Sequence, residues 1–139
     1  MTKQRTIYLA GPMEHVSKDQ AQGWRDQVKL HFHYDSLVTL LDPCRRLHSF
    51  KQEEMRAIFE LDIRDINESD IVLANLSQLG KIPHNGTSTE VFYANYIRRI
   101  PVIGIKPTKK NMHPFFESLV TEWVPNVNTA LDTLRNKYL

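Results

Sequence analysis

The sequence contains a single cysteine, Cys44, and no apolar run long enough to cross a membrane. A lone cysteine excludes an internal disulfide, which is typical of proteins in a reducing compartment. The apolar stretch after Arg5 is short and runs directly into Gly11-Pro12, which argues against a signal peptide. A membrane helix needs roughly 20 apolar residues in a row. We therefore expect a cytoplasmic protein without membrane contact.

An excess of charge of either sign is also lacking. The 18 lysines and arginines nearly balance 16 aspartates and glutamates, for a formal net charge of +2. Nucleic-acid-binding domains carry a marked basic surface, so this balance argues against a nucleic-acid partner. The six histidines form no metal signature, because His31 and His33 are two residues apart on a predicted helix and face different directions. We expect neither a metal nor a cofactor.

The order of apolar and helical patterns predicts an α/β fold. The 139 residues allow one domain, and we assign residues 1–139 to it. Strands are predicted at residues 5–10, 36–41, 70–76, 101–105 and 123–124. Helices are predicted at about 18–33, 52–67, 86–99 and 128–138, and residues 107–120 are predicted to be irregular or briefly helical. This alternation predicts a doubly wound parallel sheet of five strands in the order 2-1-3-4-5, covered on both faces.

The stretch GTSTEVFYA at residues 86–94 follows the third predicted strand and leads into a helix. With Thr87 as N-cap and Glu90 three residues later, its spacing fits a capping box, which is a structural role. Its place in the fold favours a functional role, because open α/β sheets bind ligands beyond the carboxyl ends of their strands. The two interpretations compete, since a carboxylate bonded to the Thr87 amide is poorly placed to attack a substrate.

A carboxylate interrupts the apolar face of the helix predicted at 52–67. Residues spaced by four, three and four positions share one side of this helix: Met55, Phe59, Asp62 and Ile66. Burying an ionised carboxylate is costly unless it is paired or hydrogen-bonded. Asp62 is therefore predicted to pair with an arginine such as Arg25, to reach water at the helix edge, or to serve a functional site. Asp65 lies off this side and is predicted to be a surface residue.

Four blocks of the sequence together resemble the nucleoside deoxyribosyltransferase-like family. They are IYLAGPM at residues 7–13, LDIRDI at 61–66, SDIVL at 69–73 and the stretch at 86–94. The blocks follow the family's order and approximate spacing across most of the chain. The resemblance implies that Glu90 is the nucleophile that takes the sugar from the base. It also implies that Asp62 lies near the sugar and base, and that Tyr8 hydrogen-bonds to Glu90 and orients it.

This set of groups suits the cleavage of an N-glycosidic bond. The reaction builds positive charge on the anomeric carbon, which a carboxylate can stabilise and then capture as a sugar ester. The departing base needs a proton or a hydrogen bond, for which Asp62 is the candidate. Two acids in one partly buried pocket are expected to titrate as a coupled pair.

The resemblance further implies substrate-binding residues and an assembly. The candidates in the first loop and at the helix start are Gly11, Pro12, Met13, Gly86, Thr87 and Ser88. The segment at 113–118 resembles a region that, in the family, enters a neighbouring subunit's pocket, which adds Ser118 as a candidate. We therefore expect a homodimer or a larger homo-oligomer.

Three positions depart from the family pattern. Ser88 stands where the family commonly has a second glycine. Relatives that hydrolyse nucleoside monophosphates carry an arginine for the phosphate where this chain has Glu14, and a serine where it has His84. These differences favour a nucleoside substrate, although Ser88 at a helix start would offer a phosphate another site. The cations that would help there are Lys18, Arg45 and Arg46.

The expected protein is an enzyme that acts on a small nucleoside or nucleotide and a nucleobase. It would cleave the N-glycosidic bond of a (deoxy)nucleoside through a covalent glutamyl-sugar intermediate and transfer the deoxyribosyl group to another base. One alternative is a nucleoside 5'-monophosphate N-glycosidase, in which water takes the sugar. The other is a non-catalytic module that binds a nucleotide or nucleobase.

Overall fold

A parallel sheet with the strand order β2-β1-β3-β4-β5 forms the centre of the molecule. The computed structural model describes residues 3–46, 52–108 and 112–139, without the side chains of Arg46 and Gln52. The strands are β1 Arg5–Ala10, β2 Val38–Leu41, β3 Ile71–Asn75, β4 Val102–Ile105 and β5 Glu122–Val124. The helices are α1 Lys18–His31, α2 Gln52–Asn67, α3 Asn85–Phe92, α4 Pro114–Leu119 and α5 Val127–Thr133. A 3-10 turn at Pro43–Arg46 follows β2, and π-helical turns at Tyr93–Ile97 and Leu134–Tyr138 extend α3 and α5.

Helices cover both faces of the sheet because its strands are apolar on both sides. Alternate residues of β1 illustrate this, since Ile7 and Leu9 join one core cluster while Tyr8 and Ala10 join the other. The first cluster is completed by α1, α5 and the π-helical turn after α5, whose contributors include Trp24, Val28, Leu131 and Leu134. The second is completed by α2 and α3, whose contributors include Ile66 and Val91.

The fold places a crevice between β1 and β3. These strands pair in register from Ile7 with Ile71 to Ala10 with Ala74. The chain leaves β1 toward β2 on one side of the sheet and leaves β3 toward β4 on the other. Such a switch point at the carboxyl ends of the strands is where open α/β sheets bind their ligands. The predicted fold class and strand order are therefore confirmed.

Two local predictions are wrong. Helix α3 begins at Asn85 with His84 as its N-cap, so Thr87 lies inside the first turn and is not the cap. The Ser88 amide already donates to the His84 carbonyl at 2.7 Å, so helical bonding starts earlier than the capping-box pattern indicates. Asp65 is buried at 4% exposure and not at the surface, because Arg45 forms an ion pair with it at 2.6 Å.

Candidate active site

A cavity of about 380 Å³ opens at the carboxyl end of β1, between α2 and the start of α3. This volume falls in the range of small-molecule pockets, roughly 300–1,000 Å³. The β1–α1 loop contributes Gly11, Pro12, Met13, Glu14 and His15. Helix α2 contributes Met55, Ile58, Phe59 and Asp62. The loop before α3 and the helix itself contribute Pro83, His84, Asn85, Gly86, Thr87, Thr89 and Glu90.

Tyr8 and Glu90 meet beneath this cavity, whose described lining includes Glu90 but not Tyr8. The Tyr8 hydroxyl donates a hydrogen bond to Oε2 of Glu90. Tyr8 is fully buried near the end of β1, and Glu90 is only 7% exposed in the second turn of α3. The carboxylate therefore faces the sheet and the cavity instead of folding back onto the helix start, and the capping interpretation of Glu90 is wrong.

Burial dominates the electrostatics of this pair. It raises the pKa of the Glu90 carboxyl from 4.5 to about 8, and the negative charges of Asp62 and Asp65 add to the rise. The Tyr8 hydrogen bond and the Arg25 guanidinium oppose it. Burial and the neighbouring Glu90 raise the pKa of the Tyr8 phenol well above 10. Tyr8 consequently remains protonated near neutral pH and acts as a hydrogen-bond donor.

Helix α2 presents Asp62 to the same cavity. Met55 and Phe59 line the cavity beside it, whereas Ile66 is buried in the core. The apolar side of α2 is thus partly a pocket wall, which accounts for a carboxylate within it. Asp62 is 8% exposed. Arg25, considered as its ion-pair partner, instead lies 3.4 Å from a carboxylate oxygen of Asp42.

The remaining candidates divide into two groups. Those that line the cavity are Gly11, Pro12, Met13, Gly86 and Thr87. Ser88 is not among the described lining residues, since its hydroxyl donates to the His84 carbonyl at 2.6 Å. Ser118 is exposed on α4 and donates to the Pro114 carbonyl at 3.0 Å.

The cations considered for a phosphate lie elsewhere or outside the described part. Lys18 is exposed at the first residue of α1. Arg45 pairs with Asp65, and the Arg46 side chain lies outside the described residues. None of the described lysines or arginines lines the cavity.

His84 is a cavity residue whose environment the sequence did not indicate. It is 6% exposed, its Nδ1 lies 2.9 Å from the Ile82 carbonyl, and its Nε2 has no hydrogen-bond partner in the described structure. Burial lowers the pKa of the imidazole, and the Lys106 ammonium lowers it further. The ring is therefore neutral near pH 7, with Nδ1–H donated to Ile82 and a free lone pair on Nε2. From the sequence, only the presence of His84 where some relatives have a serine was visible. Its burial was not, because the burial of a loop residue depends on tertiary packing.

Two further searches of the described ranges bear on the site. No group of three or more histidine, cysteine, aspartate or glutamate side chains there is arranged to hold a metal ion. None of the helices in those ranges has both the length and the apolarity of a membrane span.

Comparison with known proteins gives one family. The sequence model described as nucleoside 2-deoxyribosyltransferase matches residues 7–133. No curated protein matches the chain.

Solved structures with this architecture include three that the chain matches over most of its length. A 2-deoxyribosyltransferase of Bacillus psychrosaccharolyticus is 19% identical, with a TM-score of 0.70 over 90% of this chain and 89% of that one. A conserved protein of Enterococcus faecalis is 16% identical, with a TM-score of 0.72 over 96% and 99%. A CMP N-glycosidase of Clostridium botulinum is 14% identical, with a TM-score of 0.61 over 94% and 98%. At such identities the similarity establishes a common fold.

Proposed function

This chain belongs to the nucleoside 2-deoxyribosyltransferase family, and from that premise we propose that it transfers a deoxyribosyl group from a (deoxy)nucleoside to another base. The observation that carries the proposal is the Glu90 carboxylate. It lies in the wall of a cavity of about 380 Å³ and accepts a hydrogen bond from Tyr8. A carboxylate that served only as a helix cap would fold back onto the start of α3. The position of Glu90 therefore favours a catalytic protein over the non-catalytic binding module.

In the first half-reaction, an ionised Glu90 oxygen attacks the anomeric carbon of the sugar. The N-glycosidic bond breaks, its electron pair goes to the base, and Asp62 donates a proton or a hydrogen bond to that base. Tyr8 orients Glu90 for this attack, because its phenol donates a hydrogen bond to Glu90 Oε2. The product is a sugar ester of Glu90 and a free base.

In the second half-reaction, a ring nitrogen of another base attacks the anomeric carbon. The ester bond breaks, Glu90 regains its carboxylate, and the proton of the incoming base passes to Asp62. Two displacements at one carbon retain its configuration. If water replaces the second base, the same intermediate yields free sugar, which is the hydrolytic alternative.

The charges around the cavity support a nucleoside rather than a monophosphate as substrate. Glu14, Asp62 and Glu90 are acidic lining residues, and the described lining contains no lysine or arginine. His84 is a neutral lining residue, because burial lowers the pKa of its imidazole, so it adds no positive charge for a phosphate. A dianionic phosphate in this wall would meet no compensating cation among the described lining residues.

The decisive experiment is incubation with deoxynucleosides and deoxynucleoside monophosphates, each with and without a second free base. We expect a new nucleoside only when the acceptor base is present, and little reaction of monophosphates. Release of sugar without an acceptor would identify a hydrolase, and turnover confined to monophosphates would contradict the nucleoside assignment. Binding without either reaction would support the remaining alternative, a non-catalytic module that binds a nucleotide or nucleobase.

We also propose that the chain assembles as a homodimer or a larger homo-oligomer. Apolar side chains on α3, on the π-helical turn that extends it and on α4 are open to solvent in the single chain: Phe92, Tyr96, Ile97 and Phe115. Phe115 is 73% exposed, and the rings of Phe92 and Tyr96 stack at 5.5 Å. A second copy of the chain would cover these side chains. Light scattering tests this directly, and a monomer at assay concentration would refute it.

A further inference from the structure

Arg25 is a charged residue that the proposed reaction does not yet use. It lies on α1 with 0% exposure, so its guanidinium is wholly removed from water. Such burial is costly unless the charge is paired and its donors are bonded. The contacts of Arg25 therefore indicate the role of the residue.

Its hydrogen bonds converge on the end of β1. Nε and Nη2 donate to the Leu9 carbonyl at 3.4 and 3.3 Å, and Nη2 also donates to the Gly11 carbonyl at 3.1 Å. Nη1 donates to the Ala21 carbonyl of its own helix. Leu9 follows Tyr8 directly, and Gly11 opens the loop that lines the cavity. Arg25 thus fixes the backbone on which Tyr8 and the cavity edge depend.

The turn at Gly11 allows this approach because it has no side chain. A Cβ there would lie 3.0 Å from Cζ2 of Trp24 and 3.4 Å from Nη2 of Arg25. The guanidinium carbon of Arg25 lies 4.7 Å from the centre of the Trp24 ring, which adds a cation–π contact. The end of β1, Trp24 and Arg25 are consequently packed as one unit.

Asp42 balances the charge of Arg25 only in part. Its Oδ1 lies 3.4 Å from Nε of Arg25, while Oδ2 lies 2.5 Å from the Lys29 ammonium. Oδ2 also accepts from Gln22 at 3.0 Å, and Oδ1 accepts from the Cys44 amide at 2.8 Å. Although burial opposes it, these contacts lower the pKa of Asp42 and keep it ionised. Because Asp42 also pairs with Lys29, it does not fully neutralise Arg25. A positive potential therefore remains around the guanidinium.

That potential reaches the base of the cavity. The groups that act on the Glu90 carboxyl are Tyr8 on β1, Asp62 and Asp65 on α2, and Arg25 on α1. Both aspartates raise the pKa of Glu90, whereas Tyr8, through its hydrogen bond, and Arg25, through its charge, lower it. Among the described groups in this set, Arg25 is the positive one.

We infer that Arg25 is a positioning residue for the proposed reaction: it holds the end of β1 behind Tyr8 and favours the ionised, nucleophilic form of Glu90. The inference rests on the proposed role of Glu90. A residue with only a structural role would contribute to folding stability and leave the ionisation of Glu90 unchanged.

The test is the titration of the Glu90 carboxyl by ¹³C NMR on glutamate-labelled protein, with the signal assigned through Glu90→Gln. Three variants are compared with the wild type: Arg25→Met, Asp42→Asn and Arg135→Met. Arg25→Met removes the buried charge and should raise the pKa of Glu90 by about half a unit or more. Asp42→Asn removes the counter-charge and should lower it. Arg135→Met removes the same charge from a partly exposed ion pair with Asp35 and should leave it unchanged.

The pH profile of turnover on the same variants gives a second readout. The pH of its inflection should shift in the same direction as the pKa of Glu90 measured by NMR. Arg25→Lys keeps the positive charge but cannot reproduce the forked contacts of arginine. Its inflection should therefore lie closer to that of the wild type than its rate does. A Glu90 titration unchanged in both Arg25→Met and Asp42→Asn would overturn the inference, as would loss of rate that follows only the loss of thermal stability. If Arg25→Met does not fold, Asp42→Asn and Arg25→Lys decide. Shifted titrations in a protein without any turnover would refute the proposed function and the reaction role of Arg25, while leaving its electrostatic action on Glu90 demonstrated.

Discussion

The phenol of Tyr8 donates its hydrogen bond to the carboxylate of Glu90, a residue 82 positions further along the chain. One partner is on β1 and the other on α3, so the bond crosses from the sheet to the helix beneath the cavity. A buried carboxylate that accepts such a bond has few orientations open to it. Tyr8 therefore sets the direction in which Glu90 presents its free oxygen.

Replacing Glu90 by glutamine should abolish most of the turnover and preserve the fold. Glutamine has the same shape and can still accept from Tyr8, but its amide cannot form the sugar ester. We expect kcat to fall at least about a thousandfold, on the order of 4 kcal/mol, with substrate binding retained. Steady-state kinetics and calorimetric binding measure the two effects. Glu14→Gln is the matched control, because it neutralises another acid of the cavity wall and should cost little.

Activity should rise with pH, because Glu90, the nucleophile that we propose, must be ionised to attack the sugar. With the pKa of Glu90 raised by burial to about 8, about a tenth of the free enzyme carries the carboxylate at pH 7. For substrates with good leaving groups, whose base departs without a proton from Asp62, we expect kcat/KM to increase about tenfold per pH unit below this value and to level off above it. A kcat/KM for such a substrate that declines between pH 6 and 8 would be incompatible with this nucleophile.

The same shift should make the folded protein less stable at higher pH. Below 4.5 the Glu90 carboxyl is protonated in both folded and unfolded chains, and between 4.5 and about 8 only the folded chain keeps the proton. The stability contributed by the protonated form is therefore lost as pH rises through this window. Relative to Glu90→Gln, the wild type should lose on the order of 3 kcal/mol of unfolding free energy between pH 5.5 and pH 8. Urea denaturation at the two pH values measures this difference, and parallel curves for the two proteins would disprove it.

Tyr8→Phe should move the activity profile to higher pH. The hydrogen bond from Tyr8 lowers the pKa of Glu90, so its loss raises that pKa and reduces the ionised fraction. We expect about a tenfold lower rate at pH 7, with a partial recovery at high pH, and about 1–3 kcal/mol lower stability from the unsatisfied carboxylate oxygen. Tyr93→Phe is the control, because it removes a tyrosine hydrogen bond to Asn67 at 2.6 Å outside the cavity.

Asp62→Asn should separate two effects of Asp62. Removing its negative charge lowers the pKa of Glu90, which moves the pH inflection downward. Loss of the proton donor should slow nucleosides with poorly leaving bases roughly a hundredfold, and those with good leaving groups much less. Asp65→Asn provides the comparison, since Asp65 also raises the pKa of Glu90 but is not among the cavity-lining residues. Equal slowing of all substrates would argue against Asp62 as the acid.

The sheet was predictable because its signals are local and repeated. Apolar runs bounded by turns gave the five strands, and their alternation with helices gave the order around β1 and β3. The edges were less certain: β2 begins at Val38 and not at residue 36. The start of α3 was misplaced because Thr87 and Glu90 match a capping box, while the actual N-cap, His84, makes no side-chain cap bond.

The site was predictable only in part, because tertiary contacts override the helical period. The period placed Asp62 on an inward side, which the cavity explains, but it also placed Asp65 at the surface. Asp65 is buried because Arg45, from the turn after β2, reaches it. The meeting of Tyr8 and Glu90 was expected from the family resemblance, and no spacing within the sequence encodes it. The environments of Arg25 and His84 depend on loop carbonyls, whose positions follow from packing.

The strand order has a consequence for synthesis. Tyr8 leaves the ribosome 82 residues before Glu90, but its strand pairs with β3, and its hydroxyl bonds to a helix that follows β3. At 5–20 residues per second, roughly 4–16 s separate the two partners during translation. The nascent chain therefore carries an exposed, apolar β1 for that interval, and β2 is the earlier neighbour able to cover one of its edges. Catalytic competence should arise late, and a ribosome-bound chain that ends before α3 should bind neither sugar nor base.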